Sequence, residues 1–226
     1  MPSPRRHRAP RGSGDLLRDE ILDAATELLL ETGHAKAVSI RAVAQRVGVT
    51  SPSIYLHFDD KDALLDAVCA RYFEKLDAEM QRAAAGQPSA LEVLRAQGLA
   101  YVRFAVATPE LYRIATMGED RPGSDVDAVL ASSAFTHLLG AVQALMDEGI
   151  YPPGDPTAAA LELFAAAHGV AALLIAKPHL PFGDVEAFTD RVLRAVCAGH
   201  ILVGLIGEDA TPQQFMDWLA TRGGDP

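Results

Sequence analysis

The residues best placed to do chemistry lie in one short stretch, Ser39 to Phe58, which reads SIRAVAQRVGVTSPSIYLHF. The chemistry on offer is hydrogen bonding, with no bond to be made or broken. Ser51, Ser53, Tyr55, Leu56 and His57 line the start and the outer face of a short helix. Ile54 and Phe58 point the other way and anchor it. Small polar groups on a projecting helix suit the major groove of duplex DNA, where a recognition helix reads base edges with its N-terminal residues. A plain surface helix of an ordinary bundle fits the same periodicity.

Other chemistries find little support. Seven histidines are present, yet none falls in an HxxxH or HExxH arrangement, and Cys197 with His200 has no third ligand nearby in sequence. There is no GxSxG elbow, no GxxxxGK[ST] loop and no dinucleotide fingerprint. No catalytic residue, metal or cofactor is therefore expected, and the chain is not read as an enzyme. Cys69 and Cys197 stand far apart with no CxxC pattern, which argues for reduced thiols and a cytoplasmic protein.

The elements that must hold this stretch can be read from periodicity. Ile40, Val43, Ala44 and Val47 recur at helical spacing behind Ser39, whose hydroxyl can accept a bond from a first-turn amide. Gly48 is free to adopt a positive φ, and Ser51-Pro52 restarts a helix as N-cap and first-turn proline. A helix this short cannot stand alone, because nucleation costs more than so few turns return. Its supports are a helix from Asp15 bearing Leu17, Ile21, Ala24, Ala25, Leu28 and Leu29, and one from about Lys61 to Ala84 bearing Leu64, Leu65, Val68, Tyr72, Phe73 and Leu76. Asp60 is its candidate cap.

The spaced residues Ile40-Arg41-x-Val43-Ala44, Gly48-Val49, Ser53-Ile54-Tyr55-x-His57-Phe58 and Lys61-x-x-Leu64-Leu65 resemble the DNA-binding domain of the tetracycline-repressor (TetR-like) transcription factors. The resemblance runs from about residue 15 to 75. It implies a homodimer that pairs through its last two long helices, a DNA-backbone contact at Lys61, and a C-terminal body that binds a small-molecule effector. His168-Gly169 resembles the end of the Trp-His-Gly signature of one C-terminal subfamily, with Ala167 in place of Trp.

Net charge is −10, but residues 1–60 carry eight basic and eight acidic side chains, so all of the excess lies in residues 61–226. A locally positive DNA face is compatible with that distribution. Residues 1–14, with Arg5, Arg6, Arg8 and Arg11 among Pro, Gly and Ser, form a basic arm expected to reach the minor groove, or else a solubilising tail. No apolar segment follows to make it a signal peptide.

The expected fold is all-α: an N-terminal three-helix DNA-binding domain over residues 15–75 with its helix-turn-helix at 38–57, then a larger helical domain over 85–226 for effector binding and dimerisation. Ala85-Gly86-Gln87-Pro88 marks the boundary. Helices are expected near 89–108, 109–117, 125–148, 155–176, 184–206 and 211–221. The 155–176 helix is apolar enough to raise a membrane span, but Glu162 and His168 interrupt it. Ala165, Gly169, Ala195, Gly199 and Gly204 permit close helix approach, either between two subunits or within a monomer core.

Without Arg, Asn, Gln or Lys in the recognition helix, direct base readout falls to Arg41, with Ser51, Ser53 and Leu56 making shorter contacts beside Pro52. Ser39, Tyr55, His57 and Lys61 are expected on phosphates. For the effector, Tyr101, Phe104, Tyr112, Met117, Phe135, His137, Phe164 and His168 supply aromatic and polar groups for a small apolar or aromatic molecule. The expected function is a ligand-responsive repressor of a palindromic operator. A regulator without an effector, and an all-α enzyme or carrier with incidental DNA binding, are the alternatives.

Overall fold

A computed structural model describes residues 13–33, 35–117, 132–207 and 209–222. All regular structure among them is helical: α1 Ser13–Thr32, a short 3-10 turn Ala35–Ala37, α2 Ile40–Val47, α3 Ser51–Tyr55, α4 Lys61–Ala84, α5 Ala90–Ala107, α6 Pro109–Met117, α7 Ser133–Asp147, α8 Pro156–Ala176, α9 Val185–Ile206 and α10 Pro212–Arg222. The basic arm with Arg5, Arg6 and Arg8, and the first part of the helix expected over 125–148, lie outside the described residues.

The chain divides into two compact units, residues 1–75 with 108–132, and residues 76–107 with 133–226. This differs from the sequence expectation in two respects. The division falls inside α4 after Lys75, where the DNA-binding domain was expected to end, and α4 runs on to Ala84, so residues 76–84 belong to the second unit and not to a linker before Ala85-Gly86-Gln87-Pro88. In addition, α6 joins the first unit, where Leu111 and Ile114 pack against the N-terminal core.

That core is contiguous. Ile21, Ala25 and Leu29 of α1, Val43 of α2, Ile54 of α3, Phe58, and Leu64 and Val68 of α4 are buried together with Val38. The periodicity of each helix accounts for its contribution: the buried positions recur every three or four residues, and the intervening ones are polar. Arg18 lies over the Phe58 ring at 5.2 Å and Arg71 pairs with Asp23 at 2.8 Å, so the cationic groups on these helices are held at the rim.

In the second unit α5 packs against α7, α8 and α9, and α8 also packs against α7 and α9. Leu94, Phe135, Val142, Leu145, Tyr151, Ala160 and Leu163 form its core. Asp155 and Asp184 cap α8 and α9, accepting from Thr157 N at 2.9 Å and Ala187 N at 2.7 Å. At Gly98 an added Cβ would sit 2.8 Å from the Leu193 side chain, so α5 and α9 meet closely there. Thr189 is buried in the same contact region and spends its hydroxyl on Val185 O at 2.7 Å.

Candidate DNA-binding face and effector core

The turn between α2 and α3 is built by local chemistry. Ser39 caps α2, its Oγ accepting from Ala42 N at 3.1 Å. Gly48 ends α2 at φ +79°, with both its own amide and that of Val49 donating to Ala44 O at 3.0 and 2.9 Å. Glycine is suited to that left-handed backbone, and the paired bonds satisfy the carbonyl that helix termination leaves open. α3 then starts one residue earlier than expected. Thr50 is the N-cap and Ser51 the first helical residue, ahead of Pro52. Thr50 makes no side-chain cap bond, and its hydroxyl lies 3.0 Å from Ser53 Oγ.

This geometry sorts the candidate residues. Ile54 and Phe58 are buried and fix α3, whereas Tyr55 is 52% exposed and Leu56 83% exposed. Ser39, Arg41 and Pro52 are exposed, and Ser51, Ser53 and His57 are partly so. The predicted reading surface is therefore open to a partner.

The two arginines of α2 have different fates. Arg46 forks onto Glu31 of α1, with Nη1 donating to Oε1 at 2.8 Å and Nη2 to Oε2 at 2.5 Å, and it reaches Glu27 at 3.4 Å. The guanidinium bond lowers the Glu31 carboxyl pKa and raises that of Arg46. Arg41 forms no ion pair with any described residue. The sequence pointed to Arg41 because the recognition helix holds no Arg, Asn, Gln or Lys, and the Arg41 side chain is exposed.

Lys61 has one side-chain bond among the described residues. Its ammonium donates to Ala35 O at 2.7 Å and so ties the start of α4 to the 3-10 turn. Asp60 caps α4 as anticipated, accepting from Ala63 N at 2.7 Å.

The effector candidates do not all come together. Tyr101, Phe135, Phe164 and His168 form one cluster centred on Phe164, with ring centroids 5.9 Å from Tyr101, 6.5 Å from Phe135 and 5.6 Å from His168. Tyr101 Oη lies 3.4 Å from His168 Nδ1. Burial depresses the His168 pKa, favouring the neutral ring. Phe104, one turn beyond Tyr101 on α5, is partly buried. His137 is half exposed and bonds Asp77 of α4 through Nδ1 at 2.7 Å.

Tyr112 is a correction. It is fully buried in the first unit, near Tyr72, because α6 packs there, whereas Tyr101 belongs to the second unit. The Met117 side chain lies outside the described residues. A residue the sequence reading passed over is Gln97, 3% exposed, whose Oε1 has no hydrogen-bond partner. It stands between Leu94 and Tyr101 on the apolar stripe of α5, so an amide at an inward register was its signal.

Cys197 and His200 are engaged in packing. His200 stacks on Tyr151 with centroids 5.2 Å apart and reaches Glu162 at 3.2 Å, while burial raises the Cys197 thiol pKa. Among the described residues no group of three or more His, Cys, Asp or Glu side chains is placed to hold a metal. α8 is the one described helix long and apolar enough to cross a membrane by length and composition. Its Ala160, Leu163, Ala167, Val170, Ala171 and Leu174 are buried in the second unit.

A capped helix, a glycine turn and a short projecting helix on one core define a helix-turn-helix domain, here followed by a helical second domain. Residues 21–68 match the family described as bacterial regulatory proteins, tetR family, and residues 94–196 match the tetracyclin repressor-like C-terminal domain. The chain belongs to the TetR family, whose members are transcriptional regulators.

The class D tetracycline repressor of Escherichia coli is 45% identical over 53 residues, 24% of each chain. The chain thus spans about a quarter of the length of the tetracycline repressors it matches. An uncharacterized HTH-type transcriptional regulator of Mycobacterium tuberculosis is 28% identical over 182 residues, 79% of each. Among solved structures, a protein of unknown function from Rhodococcus sp. RHA1 superimposes with a TM-score of 0.72 at 28% identity, covering 86% of this chain and 97% of that one.

Proposed function

We propose that the chain is a cytoplasmic, homodimeric repressor that binds a palindromic operator and releases it when a small apolar or aromatic effector occupies the second unit. The observation that carries the DNA-binding half is the contrast around α3. Ile54 is fully buried while Tyr55 and Leu56 beside it are exposed, as is Arg41, which has no ion pair among the described residues. Arg41 reads a base edge, Ser51, Ser53 and Leu56 make shorter contacts, and Ser39, Tyr55, His57 and the remaining donors of Lys61 hold phosphates. Two such units on one operator place their recognition helices about 34–36 Å apart.

Support for pairing comes from the outer faces of α8 and α9. Leu161, Leu173, Val203 and Leu205 are each 41–55% exposed, and Ala165, Gly169 and Ala195 lie open among them. An added Cβ at Gly169 or Gly199 meets nothing within 4 Å, so these small residues are not explained by packing inside this chain. Gly204 is explained within the chain, since its Cβ would press on Pro152 at 2.9 Å. A second copy laid on α8 and α9 covers the apolar face in a symmetric interface.

The effector acts through α4, which carries Lys61 at one end and Asp77, held by His137, towards the other. It shifts the equilibrium by its preference for the DNA-incompetent arrangement and by no more than that.

Selection of bound sequences from random duplex DNA with the purified protein tests this reading. The expected result is an inverted repeat with half-sites one helical turn apart. Arg41→Ala is expected to relax one position of each half-site at a cost of about 1–3 kcal/mol. Recovery of no sequence motif would sink the proposal.

A further inference from the structure

The interior of the second unit carries an unspent hydrogen-bond acceptor. Gln97 is almost wholly buried, and its Oε1 has no partner. Buried carboxamide oxygens are nearly always paired, and each exception calls for an explanation. On α5 it follows Leu94 by three residues and precedes Tyr101 by four, so the three share one stripe. Leu94 packs in the cluster that includes Phe135 of α7 and Leu163 of α8, and Tyr101 meets Phe164 and His168 of α8. Gln97 therefore lies along the side of α5 that carries the aromatic cluster.

The charge around this stripe is equally informative. Over residues 97–104 of α5, 135–146 of α7 and 161–174 of α8 the only formal charges are Arg103 and Glu162. Arg103 is exposed and bonds Glu186 at 2.8 Å, while Glu162 is exposed and reaches His200. Neither offers a counter-ion to the interior. His168 is the one titratable nitrogen at the cluster, and its burial favours the neutral ring. His137 is committed to Asp77. Burying an unpaired charge in such surroundings is far more costly than burying a hydrogen-bonded neutral group.

We infer that the effector is an uncharged molecule with an apolar body and one hydroxyl or N–H donor, which gives its proton to Gln97 Oε1 while the rings of Tyr101, Phe135 and Phe164 cover the body. This rests on reading that cluster as the effector site, as proposed above. It excludes free carboxylic acids, phosphate-bearing thioesters and ammonium ions as effectors, all of which would need a counter-ion that the described residues around the cluster do not leave unspent: on the neighbouring helices Asp77 is bonded to His137, and Asp190 to Arg95 and Arg194. A methyl ether of the same body would leave the Gln97 oxygen unpaired, and a site built around a buried polar group rejects such an analogue.

The test is a matrix of compounds on the full-length protein, followed by thermal shift and calorimetric titration. Phenyl, naphthyl, ten-carbon and steroid bodies each carry a hydroxyl, a methoxy, a carboxylate or an ammonium group. For the body that fits, the alcohol is expected to bind about tenfold or more tighter than its ether, with both charged forms weaker still. Gln97→Met, close in shape and without the acceptor, is expected to erase the alcohol's advantage and to leave the ligand-free protein at least as stable as before.

A carboxylate or ammonium that binds best, or an ether that equals its alcohol, overturns the inference. If that binding is also lost in Phe164→Leu, the effector site stands and only its chemistry is reassigned. If no compound of any charge binds, the effector-site reading falls together with the inference.

Discussion

The two units invert each other. In the first, apolar residues are inside and polar ones outside: Ile21, Leu29, Val43, Ile54 and Leu64 are fully buried, and the outward groups near them are Arg41, Ser53 and Tyr55. In the second, the Gln97 amide oxygen is trapped inside without a hydrogen-bond partner, as are the Gln81 amide nitrogen and the Tyr151 hydroxyl, while Leu161, Leu173, Val203 and Leu205 are exposed on α8 and α9. The first unit surrounds a contiguous apolar core and presents Tyr55 and Leu56 on its surface. The second leaves apolar groups unburied on α8 and α9 and the Gln97 oxygen unpaired inside, for which the proposed second copy and the proposed ligand are the remedies.

The sharpest way to break the comparison is within α3. Ile54→Ala removes a side chain with no exposure, and is expected to cost about 2–5 kcal/mol in urea unfolding. Tyr55→Ala, its neighbour, is expected to change stability by no more than about 0.5 kcal/mol, yet to abolish operator binding. If the two variants lose comparable stability, the division of α3 into anchor and reading face is wrong.

The second unit should respond in the opposite manner. Leu173→Glu with Leu205→Glu places charge on the outward face, and is expected to leave the folded protomer intact while weakening self-association by about 2 kcal/mol or more, the scale of an interface hot spot. Sedimentation velocity would show monomers where the unaltered chain shows dimers. A variant that still sediments as a dimer moves the interface elsewhere.

A smaller effect distinguishes the glycines. Gly48 holds φ +79° and its Cβ direction is open, so Gly48→Ala suffers only the left-handed backbone penalty, about 1–2 kcal/mol. Gly140 lies inside α7 with nothing within 4 Å of an added Cβ and no positive φ. Gly140→Ala is expected to gain about 0.4–1 kcal/mol. Thermal unfolding of the pair should show shifts of opposite sign, and shifts of the same sign would mean that one of the two backbones is misread.

The same inversion explains what could be read from sequence. The first unit obeys local rules, with a cap at Ser39, a stop at Gly48 and a proline at the start of α3, so its helices and the exposed side of α3 were legible from single residues. What escaped was non-local or nearly degenerate. Thr50 and Ser51 are both plausible caps, and only the backbone chooses Thr50. The spending of Lys61 on Ala35 O and of Arg46 on Glu31 depends on where α1 and the 3-10 turn come to rest. Tyr112 was grouped with Tyr101 as one of the aromatic and polar groups on the middle helices, and only the packing of α6 on the N-terminal core assigns it to the first unit. In the second unit, helix existence was legible from apolar periodicity, but α8 is so uniformly apolar that no face could be assigned.

The weakest expected effect concerns protons. Burial lowers the folded-state pKa of His168 below its ordinary value of 6.5, so the unfolded chain takes up a proton first as pH falls. Above 6.5 this histidine leaves stability untouched in both states. As pH drops from 6.5 through the lower folded value, the unfolded chain is progressively favoured, and part of the stability is lost. The carboxylates of the protein titrate lower and overlap the end of that window, so the diagnostic quantity is the difference between the unaltered chain and His168→Asn. That difference should change between pH 7 and pH 5 in favour of the variant and be flat above pH 7. A difference that stays flat throughout would place the ring in contact with water, and the aromatic cluster would lose the neutral interior on which the second unit's inverted character depends.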